Sequence, residues 1–127
     1  METSDLARKL RINPHYHICI VSAPPQYRSL LDPLPENVTI EYELTAEYDL
    51  NHAFVRWQKD LPNLFAKLKK HLRKDGLIWV SYPRTTSGVE TDLNRDKLFE
   101  LGAQEGVRAV SQVAVDEVWS AMRFELA

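Results

Sequence analysis

Apolar positions along the chain switch repeatedly between a period near two and a period near 3.6. Residues 4–10 fit a short helix with Ser4 as its cap and Leu6 and Leu10 on one side; Asn13-Pro14 ends it. HYHICIVSAP, residues 15–24, reads as a strand. Its centre, 18–21, is apolar on both faces, as in a strand covered on both sides. Pro24-Pro25 stops it, and Tyr27, Leu30, Leu31 and Leu34 can cover a short helix or turn. Residues 38–44 alternate, with Val38, Ile40, Tyr42 and Leu44 opposite Thr39, Glu41 and Glu43, which predicts a second strand. A third short strand is expected over 53–57.

The strongest helical pattern covers 61–74. Leu61, Leu64, Phe65, Leu68 and Leu72 form one stripe, with Asp60 as cap and Pro62 in the first turn. Basic residues crowd its carboxyl end, and Gly76 offers a left-handed exit. A strand over 77–82, a polar loop over 83–91 and a helix around 94–101 follow. Residues 107–115 and 119–126 are two long alternating segments around Asp116-Glu117, close enough to require an antiparallel hairpin. Strands alternating with helices imply an α/β fold: a three-layer sandwich of about six strands, mostly parallel, with a C-terminal antiparallel hairpin.

Composition sets limits on this picture. The 127 residues fit a single domain over 1–127, and 44% hydrophobic with 27% charged residues is ordinary globular usage. Sixteen Lys and Arg against eighteen Asp and Glu give a net charge of −2, with no global pull toward nucleic acid. One cysteine excludes an intrachain disulfide. No stretch approaches the ~20 apolar residues of a membrane span, and residues 1–10 lack a signal-like apolar core. The expected location is the cytoplasm, with Cys19 free.

The order of elements resembles a class I methyltransferase fold with parts removed, and LKKHLRKDGLIWVSYP (68–83) carries the likeness. The chain is also similar to a family of small bacterial proteins of unknown function described as methyltransferase-like. The matching pieces are LARKL (6–10), APPQYRSLLDPLP (23–35), DGLIWVSYPR (75–84), TDLNRD (91–96) and VDEVWSAMRF (115–124). The resemblance implies a Rossmann-like sheet of strand order 2-1-3-4-6-5 and brings no established reaction. It also requires the connection from Glu43 to His52 to cross over the first strand in about eight residues, where parallel crossovers usually take a dozen or so.

True methyltransferases follow their first strand with an acidic residue and a glycine-rich turn that lets the backbone approach the cofactor. Here that strand ends Val21-Ser22-Ala23-Pro24-Pro25-Gln26, and no glycine precedes Gly76. The two prolines remove two backbone donors. This argues against an S-adenosylmethionine or dinucleotide site, and no cofactor is expected. Glu43 stands where such folds often place a ribose-binding acid; a solvent-facing strand residue is the simpler reading.

Ligands of open α/β sheets bind beyond the carboxyl ends of the strands. The loop over 82–95 is the richest such segment. Arg84, Arg95, Ser87 and Thr91, with Ser22 and Tyr27 from the end of the first strand, form the candidate anion site. A solvated loop whose Thr91 or Asp92 caps a helix is the bland alternative. His15, His17 and Cys19 would share a strand face, but residues about 7 Å apart make one metal awkward to ligate, and no metal site is expected. No nucleophile motif surrounds Ser22 or Ser81. Arg56, Lys59, Lys67, Lys69, Lys70, Arg73 and Lys74 form a basic patch that reads first as a solvated helix face. The reading that follows is a non-catalytic binding module for a protein or a small anionic ligand, leaning away from enzyme. The alternatives are a small enzyme acting on a phosphate or carboxylate and, against the charge balance, a nucleic-acid accessory protein.

Overall fold

A computed structural model describes residues 2–127. The elements are α1 (Asp5–Lys9), β1 (His17–Val21), α2 (Tyr27–Leu31), β2 (Thr39–Glu41), β3 (Tyr48–Phe54), a 3₁₀ turn (Gln58–Asp60), α3 (Leu61–Lys70), β4 (Leu72–Pro83), α4 (Arg95–Gln104), β5 (Val107–Ala114) and β6 (Trp119–Leu126). Six strands form one sheet in the order β2-β1-β3-β4-β6-β5. The first four in that order are parallel, and β6 is antiparallel to both β4 and β5. Fold class and strand order are those expected from the sequence. No helix is long and apolar enough to cross a membrane among the described residues.

The sheet grows in one direction from β1 to β2 and in the other from β3 to β4. Right-handed crossovers then put α2 and α3 on opposite faces. Two cores result. Leu6, Leu10, Ile18, Ile20, Tyr27, Leu31, Leu50 and Trp79 pack on the face of α1 and α2. Phe65, Leu68, Ile78, Val80, Leu98, Met122 and Phe124 pack on the face of α3 and α4. Ser4 caps α1 by accepting from the Ala7 N–H at 3.0 Å, and the Trp79 Nε1–H donates to the Leu10 carbonyl at 2.9 Å, tying α1 to the sheet.

β1 is shorter than the expected 15–24 and α4 longer than the expected 94–101, and three larger departures bear on the site. β3 runs over Tyr48–Phe54 and not over 53–57. Its polar letters hid it: Asn51 and His52 are fully buried and bonded internally, Asn51 Nδ2 donating to the Leu68 carbonyl at 3.1 Å. β2 is only three residues long, because beyond Glu41 the chain leaves the edge to cross β1. Residues 42–47 make that crossing, shorter than parallel connections usually are. So short a strand needs little return: Glu41 lies level with Cys19, while Leu50 already pairs with Ile18. The third change is at the end of α3, which stops at Lys70 with His71 as C-cap. Leu72 continues the helical stripe in sequence but pairs with Tyr48 in β4. The residues between Leu72 and Leu77 bulge, with Asp75, not Gly76, at a positive φ of 63°. Gly76 is required by space: a Cβ there would lie 2.7 Å from Leu72 Cδ1 and 2.9 Å from the Arg73 carbonyl oxygen.

Candidate functional site

Two hollows open at the carboxyl ends of the parallel strands. The first, about 680 Å³, lies where β4, the β5–β6 hairpin and the start of α4 meet. Tyr82, Arg84, Thr85, Thr86, Asn94, Arg95, Gln112 and Ser120 are among its lining residues. Arg84 is set by its backbone, whose N–H donates to the Val118 carbonyl at 2.7 Å. Its Nε is buried without a hydrogen-bond partner. Arg95 is the first residue of α4, and its one ion pair among the described residues, to Asp96 at 3.4 Å, is exposed. Asn94 is the N-cap, accepting from the Lys97 N–H at 2.8 Å, so neither Thr91 nor Asp92 caps this helix.

The charges of this hollow reach the groups around it. Burial pushes the Tyr82 phenol up, against the pull of Gln112 and the Arg95 and Arg84 charges. Burial would raise Asp116 as well. The Trp119 N–H, the Gln26 side chain and the Val118 N–H outweigh it, with Arg84 adding to them, and hold its carboxyl below the usual range. The expected turn at Asp116-Glu117 is therefore a capped one, with Asp116 Oδ1 accepting from the N–H groups of Val118 and Trp119 at 2.8 Å each.

The second hollow is a cleft of about 870 Å³ beyond β1 and β3. Val21, Ser22, Pro24, Tyr42, Glu43, Phe54, Arg56, Trp57, Lys59, Asp60, Lys67, Lys70 and Trp119 line it, among others. Ser22 makes the turn after β1 at φ 60°, a left-handed conformation that favours glycine. Glu43 sits past the end of β2 on the cleft wall rather than within a strand.

The six residues expected to share a site are thus divided. Arg84 and Arg95 come together, and Ser22 stands in the other hollow. Ser87 and Thr91 serve the loop: Ser87 Oγ accepts from the Val89 N–H at 3.2 Å, while Thr91 Oγ1 donates to the Arg56 carbonyl and accepts from the Leu93 N–H. Tyr27 is the first residue of α2 and is buried, with its hydroxyl 2.6 Å from His52 Nδ1. The sequence reading missed Ser120, which the sheet register places opposite Tyr82, and Gln112, which pairs with Met122 two positions further along β6. Lys59, Lys67 and Lys70 are exposed, as the sequence reading has them, and they also line the cleft.

Two other constellations are structural. His17 and Cys19 lie in β1, but His15 precedes the strand at φ 68°, so the three do not form a row. His17 Nε2 instead contacts Glu41 Oε2 at 2.6 Å, and no metal-ligating cluster is present among the described residues. His52 Nε2 lies 2.6 Å from Ser81 Oγ, a nucleophile–base pair by geometry. Both residues are completely buried, on the face away from α3, so substrate cannot reach them.

The sheet order, with its reversal at β1 and β3 and its closing hairpin, decides the architecture. It is a class I methyltransferase fold. Solved structures agree. The O-methyltransferase of neocarzinostatin biosynthesis, in complex with S-adenosylmethionine and 2-hydroxy-5-methyl naphthoic acid, aligns with a TM-score of 0.66 at 11% identity, covering 97% of this chain and 50% of that one. The DhpI–SAH complex gives 0.63 at 12% identity, over 95% and 81%. Burkholderia thailandensis 1,6-didemethyltoxoflavin-N1-methyltransferase, with 1,6-didemethyltoxoflavin and S-adenosylhomocysteine bound, gives 0.59 at 14%, over 95% and 76%. The chain thus spans half of the first of these and about four fifths and three quarters of the others. No family model and no curated protein matches it.

Proposed function

We propose that this chain is a non-catalytic binding module on a methyltransferase-like fold, and that it takes a small anionic ligand between Arg84 and Arg95. The observation that carries the reading is the Arg84 Nε, buried with no partner in a hollow that Arg95 also lines. A buried donor left unpaired costs about 1–3 kcal/mol, which a phosphate or carboxylate oxygen would recover. The hydroxyls of Thr85 and Thr86 and the side chains of Asn94 and Gln112 line the same hollow and supply neutral donors. One sheet serves both cores, which supports reading residues 1–127 as one domain.

The relatives' complexes name S-adenosylmethionine and SAH, and the residues here do not fit that cofactor. Pro24 and Pro25 lack the N–H donors that a backbone turn would offer, and Ser22 occupies the left-handed position with a side chain. Lys59, Lys67 and Lys70 on the cleft wall oppose a sulfonium cation. The test is a thermal-shift panel of phosphate, pyrophosphate, citrate and S-adenosylmethionine. A ligand at 100 times its Kd adds about 2.7 kcal/mol, a shift of several degrees for a chain of this size. At least one anion is expected to shift the melt saturably and S-adenosylmethionine to leave it unmoved. A saturable shift with S-adenosylmethionine, or none with any anion, overturns the reading.

A further inference from the structure

We propose a second ligand site, independent of the Arg84 hollow: the cleft beyond β1 and β3 binds a mononucleotide, an aromatic ring joined to phosphate. Its place is where the chain turns from building the sheet in one direction to building it in the other, which leaves a crevice between diverging connections. Its size, about 870 Å³, suits one small molecule rather than a strand of nucleic acid.

Two features of the wall select the ligand. The first is a pair of indoles held in place before any ligand arrives. The guanidinium of Arg56 lies 5.1 Å from the Trp57 ring centroid, and Arg56 Nε is itself anchored to the Glu90 carbonyl at 2.9 Å. The Trp119 ring meets the edge of Phe54 at 5.2 Å, and the backbone N–H of Trp119 donates to Asp116 Oδ1 at 2.8 Å, which fixes the start of its strand. Both indoles remain half-buried, so each offers surface to a ring without having to be ordered first.

The second feature is charge. Lys59, Lys67 and Lys70 line the cleft, and none makes an ion pair among the described residues. Lys67 and Lys70 are one helical turn apart on the same face of α3. They also oppose the negative end of the helix dipole, which would be reason enough for their presence. Lys59 has no such reason: it precedes the amino end of α3, where a cation is unfavourable. With Arg56, the cations outnumber the two lining carboxylates, Glu43 and Asp60. Phosphate satisfies the lysines and a planar base meets the indoles.

Tryptophan fluorescence tests this directly, because Trp57 and Trp119 line the cleft while Trp79 is fully buried, does not line it and stays a constant background. ATP is the probe; adenosine, tripolyphosphate, S-adenosylmethionine and a ten-residue oligodeoxythymidine are its comparisons. ATP is expected to quench saturably, more weakly as salt rises. Each comparison should bind at least about tenfold more weakly, a difference of 1.4 kcal/mol. Lys67→Ala/Lys70→Ala should weaken ATP by a similar factor with an unchanged circular dichroism melt, and Lys59→Ala alone should weaken it measurably. Lys74→Ala, which removes an exposed cation that lines neither hollow, should leave the quenching by ATP unchanged. No saturable quenching at millimolar ATP overturns the proposal. So does equal binding of tripolyphosphate, S-adenosylmethionine or the oligonucleotide, or quenching that survives loss of the lysines.

Discussion

The Tyr27 hydroxyl and the His52 Nδ1 lie 2.6 Å apart in a fully closed layer of the molecule. With Ser81 at 2.6 Å from the opposite ring nitrogen, they form one buried polar chain that links α2 to β3 and β4. Phe54 stacks on the imidazole at 4.5 Å between centroids. Burial holds His52 neutral, pushing it down from 6.5 to about 3. A neutral imidazole donates through one nitrogen and accepts through the other, so one hydroxyl accepts and the other donates.

Stability should therefore fall on acidification. The unfolded chain protonates His52 near pH 6.5 and the folded chain does not until about pH 3. The unfolded state binds more protons across that window, so stability is complete above pH 6.5 and drains as pH falls. The limiting slope from this residue is about 1.4 kcal/mol per pH unit. Denaturant titrations from pH 8 to pH 4 measure it. His52→Leu should flatten this part of the curve while lowering stability at neutral pH, since the Tyr27 and Ser81 hydroxyls each lose a partner at about 1–3 kcal/mol.

Cys19 should be inert in the native protein. It is fully buried at the centre of β1, and burial pushes its thiol up to about 11 against a hydrogen bond from Tyr48, with the Glu41 charge adding to the rise. A thiol-specific reagent at pH 8 should label it only as fast as the chain unfolds, and at once in denaturant. Fast labelling of the folded chain would show that β1 opens locally.

Gly102→Ala should destabilise, although alanine is the better helix former by up to ~1 kcal/mol. A Cβ at this position of α4 would lie 2.5 Å from Phe124 Cε1. That ring cannot yield freely, because it is buried and meets Phe65 edge-on at 5.1 Å. Overpacking of this kind costs about 1–3 kcal/mol and exceeds the propensity gain. A lowered melting temperature confirms close docking of α4 on β6; a raised one refutes it.

Most of the fold was legible because its signals are local. Both core stripes, the Ser4 cap and the spacing of the hairpin strands follow from neighbouring residues. The failures arose where a residue's meaning is fixed from far away in sequence. Tyr48–Phe54 does not look like a central strand because the partners of Asn51 and His52 lie in α3, α2 and β4. Leu72 has helical phase yet is taken by Tyr48. The candidate site was half legible for the same reason. Arg84 and Arg95, eleven positions apart around one loop, line one hollow, whereas Ser22 lines the other and Tyr27 is taken inward by His52. Tyr27 turns inward to His52 because a buried imidazole needs an acceptor or donor there, which nothing near Tyr27 announces.

The two arginines of the anion hollow provide the sharpest separation of binding from stability. Arg95 is exposed at the start of α4, and Arg84 makes no ion pair among the described residues. A structural arginine would be expected to satisfy its Nε; this one leaves it buried and unpaired. Removing it deletes an unsatisfied buried donor, so Arg84→Ala should leave the melting temperature unchanged or raise it, and should not lower it. Arg95→Ala should do the same, since a cation at a helix amino end gains nothing from the dipole. Both should weaken whichever anion shifts the melt, by about tenfold or more, since a charged hydrogen bond carries about 1.5–3 kcal/mol. Arg84→Lys should recover little, because an ammonium cannot present the planar fork of a guanidinium. Calorimetric titration of the anion into each variant, beside its melting curve, measures both quantities. A loss of several kcal/mol in stability from Arg84→Ala would make this side chain a packing element held by Asp116, and the hollow would lose its claim to a ligand.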